Sequence, residues 1–257
     1  MDLLLNDKIA MISGSSSGIG FHIAKDLASE GCNVILNGRS KGTLQKAADS
    51  INNLNKGRAS YFIGDVTESK MAESFVKSTI SHFGGVDILI NNVGAHEDIP
   101  FTETTDEDWY NAFNLNLFHA VRLSRISIPE MRKRGGGAIL NIASIAGRES
   151  GGVMTYNAAK AALISFSKAL AEQTAQDNIR VNSLAPGSIL FPGGVWEKIK
   201  SKSRDDLRGY IDTTLPLRRF GRPEEISAVA AFMVSPRASL VHGACWNVDG
   251  CQSRSNI

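Results

Sequence analysis

Seven short runs of β-branched and other apolar residues alternate with longer segments of helical spacing, and this alternation constrains the chain more than any other feature. The runs cover 9–13, 33–36, 59–63, 86–91, 138–142, 181–185 and 244–248, and helical patterns fall near 18–30, 42–54, 68–83, 105–134, 155–177 and 223–234. A strand that is apolar on both faces must be covered on both, and a helix after each strand carries the chain back for a parallel neighbour. The expected fold class is α/β: a doubly wound parallel sheet of about seven strands with helices on both faces, in a single domain over 1–257. One stretch breaks the rhythm. From Gly187 to Thr214 the chain has glycines, Trp196 and several lysines where a short connection is expected. An insertion of that length after a strand reads as a flap near 188–214.

Local punctuation agrees. Thr105 with Asp108 three residues on forms a capping-box pattern, and Gly135, Gly136 and Gly137 mark a helix end. Pro223, Glu224 and Glu225 suit a first helical turn, with carboxylates at the positive end of the helix dipole.

Composition narrows the function classes. Of 257 residues, 42% are hydrophobic and 21% charged, with a net charge of +2. That balance suits a chain with a large core, and its basic residues form no block for nucleic acid or an anionic membrane. The only apolar run at the N-terminus, Leu3 to Leu5, is shorter than a signal peptide or the roughly 20 residues of a membrane span. Cys32, Cys245 and Cys251 have no metal-ligand spacing and read as free thiols, so the expected location is cytoplasmic, with no metal.

The glycine-rich turn Ser13-Gly14-Ser15-Ser16-Ser17-Gly18-Ile19-Gly20 follows the first strand and opens the first helix. There, glycines let backbone N–H groups approach a pyrophosphate while the helix N-terminus faces its charge. The second strand ends Asn37-Gly38-Arg39, with no carboxylate to hold an adenosine ribose. Arg39 instead offers a planar fork suited to a 2′-phosphate, which favours NADP(H) over NAD(H).

The G-x-x-x-G-x-G spacing resembles the short-chain dehydrogenase/reductase family, and features in the same order along nearly the whole chain extend the resemblance. They are Asn91-Asn92-Val93-Gly94, Asn116, Ser144, Tyr156-x-x-x-Lys160 and Pro186-Gly187. The resemblance implies a Rossmann-type fold and an enzyme moving a hydride between NADP(H) and a ketone or secondary alcohol. It makes Tyr156 the general acid/base, and Lys160 the group that binds the nicotinamide ribose and depresses the tyrosine pKa. Ser144 would hold the carbonyl oxygen, and Asn116 would support a proton relay to Lys160. Implied cofactor contacts are Gly14, Ser16, Ser17, Gly18, Ile19, Gly20, Arg39, Asp65, Val66, Asn92, Gly94, Tyr156, Lys160, Pro186, Gly187 and Ile189.

Substrate signals are weaker. His96, Glu149, Met154 and residues from Ile189 to Trp196 fall near the expected reacting centre. His96 reads as a solvated loop residue, and Phe191 and Trp196 as packing for the flap. Lys198, Lys200, Lys202, Arg204 and Arg208, mixed with Glu197, Asp205 and Asp206, read as a solvated helix face. The run from Pro216 to Glu225 is similar to that of 3-oxoacyl thioester reductases, and this resemblance implies 3-oxoacyl thioesters as the substrate class. Gly135 and Asp177, however, stand where the carrier-protein enzymes often have arginine, and Asp249-Gly250-Cys251 replaces Asp-Gly-Gly. Two alternatives remain open: a reductase of a steroid, sugar or other small ketone, and a non-catalytic NADP(H)-binding sensor. The helix after Tyr156, small or apolar on almost every face, implies a homo-oligomer, a tetramer or dimer.

Overall fold

The computed structural model describes residues 1–202 and 204–256. The side chains of Lys200, Lys202, Arg204 and Asp206, expected on a solvated face, lie outside the described residues. The first half runs β1 (Ile9–Ile12), α1 (Gly18–Ser29), β2 (Asn33–Gly38), α2 (Lys41–Asn52), β3 (Ala59–Ile63), α3 (Ser69–Phe83) and β4 (Ile88–Asn91). It continues through α4 (Asp106–Phe113), α5 (His119–Lys133), β5 (Gly137–Ile142), α6 (Met154–Thr174) and β6 (Ile179–Pro186). Helices α7 (Val195–Lys202), α8 (Arg204–Thr214) and α9 (Pro223–Val234) precede the last strand, β7 (Cys245–Val248).

The seven strands form one parallel sheet in the order β3-β2-β1-β4-β5-β6-β7. Successive side chains along a strand point to opposite faces, so Met11 and Ile12 enter different cores. Ile12 joins Ile23 and Leu27 of α1 and Ile226 of α9, while Met11 joins Phe75 of α3, Leu89 and Leu123 of α5. The expected doubly wound architecture is therefore present. Because the chain builds outward from β1 through β2 and β3 and then returns to β4, the order reverses between β1 and β4. In such sheets a ligand crevice opens at the carboxyl ends of the strands at that reversal.

One expectation needs correction. The single helix read near 105–134 is two helices, separated by a π-helical turn from Asn114 to Phe118. No glycine or proline marks this turn; it adds one residue per turn without interrupting the apolar pattern, so periodicity alone runs through it. The flap is built of the helices α7 and α8, in keeping with the helix face read from its mixed charges. Leu207, Leu215 and Phe220 are buried together, and the Trp196 ring lies 4.3 Å from Tyr210 and 5.1 Å from Phe220. This aromatic cluster gives α7 and α8 a small core of their own.

The Thr105 capping box forms as expected, with the Asp108 carboxylate accepting from the Thr105 N–H at 2.7 Å. Glu225 reaches back to the Arg222 N–H at 2.8 Å and so starts α9. Among the described residues, no helix is long and apolar enough to cross a membrane, and no group of three or more His, Cys, Asp or Glu is placed to hold a metal.

Candidate active site

At the β1 end the backbone leaves the sheet in a turn that side chains would obstruct. Gly14 and Gly18 have φ of +60° and +59°, a region costly for residues with a Cβ. Gly20 faces a different constraint: a Cβ there would lie 2.5 Å from Asn92 Nδ2 and 2.6 Å from the Gly14 carbonyl. The turn is pinned from two sides. Asn92 Nδ2 donates to the carbonyls of Ser13 and Gly14, at 3.2 and 2.9 Å. The buried Ser15 hydroxyl donates to the Ile12 carbonyl and accepts from the Asn37 N–H. Ser17, at the N-cap of α1, makes no side-chain capping bond, which leaves the first-turn N–H groups to face an anion. The Phe191 ring of the flap lies over Gly18, since a Cβ there would come within 2.6 Å of it.

Next to this turn, Ser16 Oγ stands 3.3 Å from where a Cβ of Gly38 would be, and the exposed Arg39 follows Gly38. The strand end has only Asn37 as a polar side chain, and its Nδ2 donates to the Gly64 carbonyl at 2.9 Å. Asp65 accepts from the N–H and hydroxyl of Thr67, at 3.0 and 2.7 Å. Partial burial would raise its pKa, but those bonds and the nearby Arg39 charge outweigh burial and hold it down. Val66 beside it is buried. Together these residues shape a cradle of backbone donors with a basic side chain at one end, which fits a dinucleotide.

Across the cleft, β5 delivers Ser144 and α6 delivers Tyr156 and Lys160. Lys160 is fully buried; its Nζ donates to the Ile142 carbonyl at 2.8 Å and lies 5.6 Å from the Tyr156 ring centroid. The Tyr156 and Ser144 hydroxyls interact. The π turn brings Asn116 to the same place. Its side chain donates to the Ala95 and Ala112 carbonyls, at 2.9 Å each, and accepts from the Ala95 N–H at 3.2 Å. Gly94 separates the two groups: a Cβ on it would stand 2.9 Å from Asn116 Oδ1 and 3.0 Å from Lys160 Nζ. Asn116, Ser144, Tyr156 and Lys160 thus meet in one cleft, although they come from a helix turn, a strand end and a long helix.

The electrostatics differ from the expected picture in one respect. Burial raises the Tyr156 pKa, opposed by its hydrogen bond to Ser144, so the tyrosine is not depressed by its lysine in this state. Burial also brings Lys160 down to about 7, which reduces the ammonium charge available near neutrality. Spacing along a helix shows which groups are neighbours but not how much water they lose.

The remaining expected residues divide. Pro186 and Gly187 end β6, and the Gly187 N–H donates to the Val248 carbonyl at 3.2 Å. The Ile189 side chain is buried in the core beside Gly221, so only its backbone can face a ligand. His96 is exposed on its loop, as expected, and its ring sits 5.1 Å from that of Tyr156. Trp196 packs within the flap, as expected, whereas Phe191 covers the glycine turn. Two residues escaped sequence reasoning. His119, one turn beyond Asn116, is fully buried, and among the described residues neither ring nitrogen makes a well-formed hydrogen bond. Gln252, beyond β7, bonds to the base of the flap. Neither belongs to a spacing pattern that could have flagged it.

Comparison with known proteins follows the geometry. Residues 14–251 match the family model described as enoyl-(acyl carrier protein) reductase. The chain is 36% identical to a 3-oxoacyl-(acyl-carrier-protein) reductase of Chlamydia trachomatis, over 97% of this chain and 99% of that protein. The structure of L-sorbose reductase from Gluconobacter frateurii, complexed with NADPH and L-sorbose, superposes with a TM-score of 0.93 at 38% identity, covering 99% of this chain and 100% of that one. A 7α-hydroxysteroid dehydrogenase complexed with NADH and 7-oxo glycochenodeoxycholic acid gives 0.91 at 34% identity, over 99% and 97%. With a seven-stranded parallel sheet, a glycine turn at its reversal point and these relatives along its full length, the chain belongs to the short-chain dehydrogenase/reductase family of oxidoreductases.

Proposed function

We propose that this protein is an NADP(H)-dependent reductase of a small free ketone, working reversibly on the matching secondary alcohol. The observation that carries the reading is the convergence of Asn116, Ser144, Tyr156 and Lys160 at one cleft beside the glycine turn. NADPH, when bound, supplies the hydride. Tyr156 donates the proton to the developing alkoxide, and Ser144, whose hydroxyl meets that of Tyr156, orients the same oxygen. Lys160 and Asn116, on either side of Gly94, hold the ribose side of the site and return a proton to Tyr156. Gly14, Ser16, Ser17, Gly18, Ile19 and Gly20 bind the phosphates, and Asp65 and Val66 border the adenine. Asn92 braces the turn from below.

Preference for the 2′-phosphorylated cofactor rests on Ser16 and Arg39 around Gly38, with no carboxylate at the strand end. The G. frateurii structure holds NADPH, whereas the hydroxysteroid enzyme holds NADH. Titrating cofactor into wild type and Arg39→Ala by fluorescence tests this directly. NADPH binding should weaken by about tenfold, as expected for loss of one charge-assisted pair, with NADH binding unchanged. Equal NADPH affinity in both proteins would remove Arg39 from cofactor choice.

A free substrate is favoured over a carrier-bound one by the surface around Asp177. Arg132, Lys133 and Arg134, the basic groups that precede Gly135, are paired with the carboxylates of Asp177, Glu130 and Asp87, each at 2.7 Å. The resulting pairs leave little positive field for an acidic carrier. NADPH oxidation with a ketose and with an acetoacetyl thioester separates the two, and faster turnover of the thioester would refute the free-ketone reading. An assembly through α4, α5 and α6 is part of the proposal, because Tyr110 on α4, Phe118 in the π turn before α5 and Met154 on α6 expose apolar side chains. A cytoplasmic location is part of the same proposal, supported by the free thiols of Cys32, Cys245 and Cys251.

A further inference from the structure

The segment after β7 touches both walls of the cleft. Gln252 Oε1 accepts from the Ser188 N–H at 2.8 Å, and Gln252 Nε2 donates to Ser188 Oγ at 3.0 Å and to the Tyr210 hydroxyl at 2.8 Å. Ser188 Oγ and the Tyr210 hydroxyl are themselves 2.8 Å apart, which closes a three-membered network. Ser188 is the base of the flap, three residues before the Phe191 that lies over Gly18, and Tyr210 belongs to α8 within the aromatic cluster of the flap. A few residues on, the same segment grips the opposite wall. The Glu149 carboxylate accepts from the Arg254 N–H at 2.8 Å and from the Ser253 hydroxyl at 3.1 Å. Glu149 stands between Ser144 and Tyr156 in the chain.

Two walls of one cleft are thus tied to a single strap of residues, and among the described residues its hydrogen bonds to Ser188 and Tyr210 of the flap run through one side chain. Gln252 is suited to this role: its amide supplies both an acceptor and two donors in fixed geometry. The fit is close as well, since a Cβ on Gly187 would come 2.7 Å from Gln252 Oε1. We propose that Gln252 is a positioning residue that latches the flap to the strap holding Glu149 and thereby sets the width of the substrate cleft. Gln252 touches no reacting atom; it acts through Ser188 and Tyr210. The kinetic consequence rests on the reductase reading, whereas the latch itself does not.

Hydrogen exchange on the intact protein tests the latch. In Gln252→Ala, amides of α8 and of 188–191 should exchange about tenfold to hundredfold faster, as expected when a partly buried network loses its central side chain. Amides of β1 and β4 should keep their wild-type protection. Tyr210→Phe should give a smaller rise, and the double variant should exceed Gln252→Ala by no more than about twofold, because both changes break the same network. The KM for the ketone should rise at least about threefold with kcat nearly unchanged, since a flap more often open lowers the competent fraction. Unchanged flap exchange in Gln252→Ala overturns the latch, as does a rise spread equally over β1 and β4. Faster flap exchange with an unaltered KM overturns the claim about cleft width. A wild type that reduces no ketone, with flap exchange still rising in the variant, upholds the latch and removes the reductase reading instead.

Discussion

Replacing His119 by leucine should change how stability depends on pH. His119 opens α5 and is fully buried; among the described residues neither ring nitrogen makes a well-formed hydrogen bond, the Leu115 carbonyl being its one backbone neighbour of consequence. Burial, reinforced by the nearby Lys160 charge and weakly opposed by the Leu115 carbonyl, pushes its pKa down to about 3. In an unfolded chain it titrates near ~6.5. Below that pH the unfolded chain takes up a proton that the folded protein refuses, so stability falls as pH drops from about 6.5 toward 3 and is unaffected above. At about 1.4 kcal/mol per unit, lowering the pH from 6.5 to 5 removes about 2 kcal/mol. Leucine has a similar volume and no proton to refuse. The variant should be more stable than wild type by about 1 kcal/mol at pH 7.5, where it spares two poorly bonded nitrogens from burial. That advantage should grow by about 2 kcal/mol at pH 5. Urea melts of both proteins at pH 7.5, 6 and 5 measure the difference, and carboxylates titrating elsewhere cancel in it. An advantage that stays constant across this range would refute the reasoning, because it would mean that His119 accepts its proton in the folded state.

Two further changes act through backbone geometry. Gly20→Ala gains roughly 1 kcal/mol in helix propensity. It also forces a Cβ to 2.6 Å from the Gly14 carbonyl, and overpacking against backbone costs about 1–3 kcal/mol. Chemical denaturation should therefore show a net loss of stability; an equal or more stable variant would show that the turn yields easily. Cys251, exposed, has φ of +67°, a conformation that costs a residue with a Cβ about 1–2 kcal/mol. Cys251→Gly should raise stability by about 0.5–1 kcal/mol after glycine's larger unfolded-state entropy is subtracted, and a lower melting midpoint would contradict that.

The fold was legible because its signals are additive. Strand runs such as Ile9–Ile12 and Ile88–Asn91 are apolar on both faces, and Gly14, Gly18 and Gly20 punctuate the one turn where the backbone must approach a ligand. Tyr156 and Lys160 were legible for the same reason: both lie on one helix face. What escaped notice depends on contacts between distant segments. The π turn at Asn116 leaves no compositional trace, since Leu115, Leu117 and Phe118 continue an ordinary helical pattern. Burial of His119 follows from helices packing on the sheet, not from its neighbours in the chain. Gln252 lies 64 residues from Ser188, and no local rule links a glutamine after the last strand to the base of a flap. The lowered Lys160 pKa is of the same kind, because desolvation is a property of the assembled cleft.

The central claim is that Tyr156 serves as the proton donor in an NADPH-dependent ketone reduction, and Tyr156→Phe tests it most directly. NADPH oxidation is followed with the best ketone substrate for wild type and variant, alongside NADPH binding by fluorescence. Loss of a general acid of this kind costs about 10²–10⁴ in rate. Turnover should fall by about a thousandfold while the NADPH Kd stays within about threefold. A variant that binds NADPH normally and retains turnover within about tenfold of wild type would contradict the account, since the cleft formed by Asn116, Ser144 and Lys160 would then work without its proton donor.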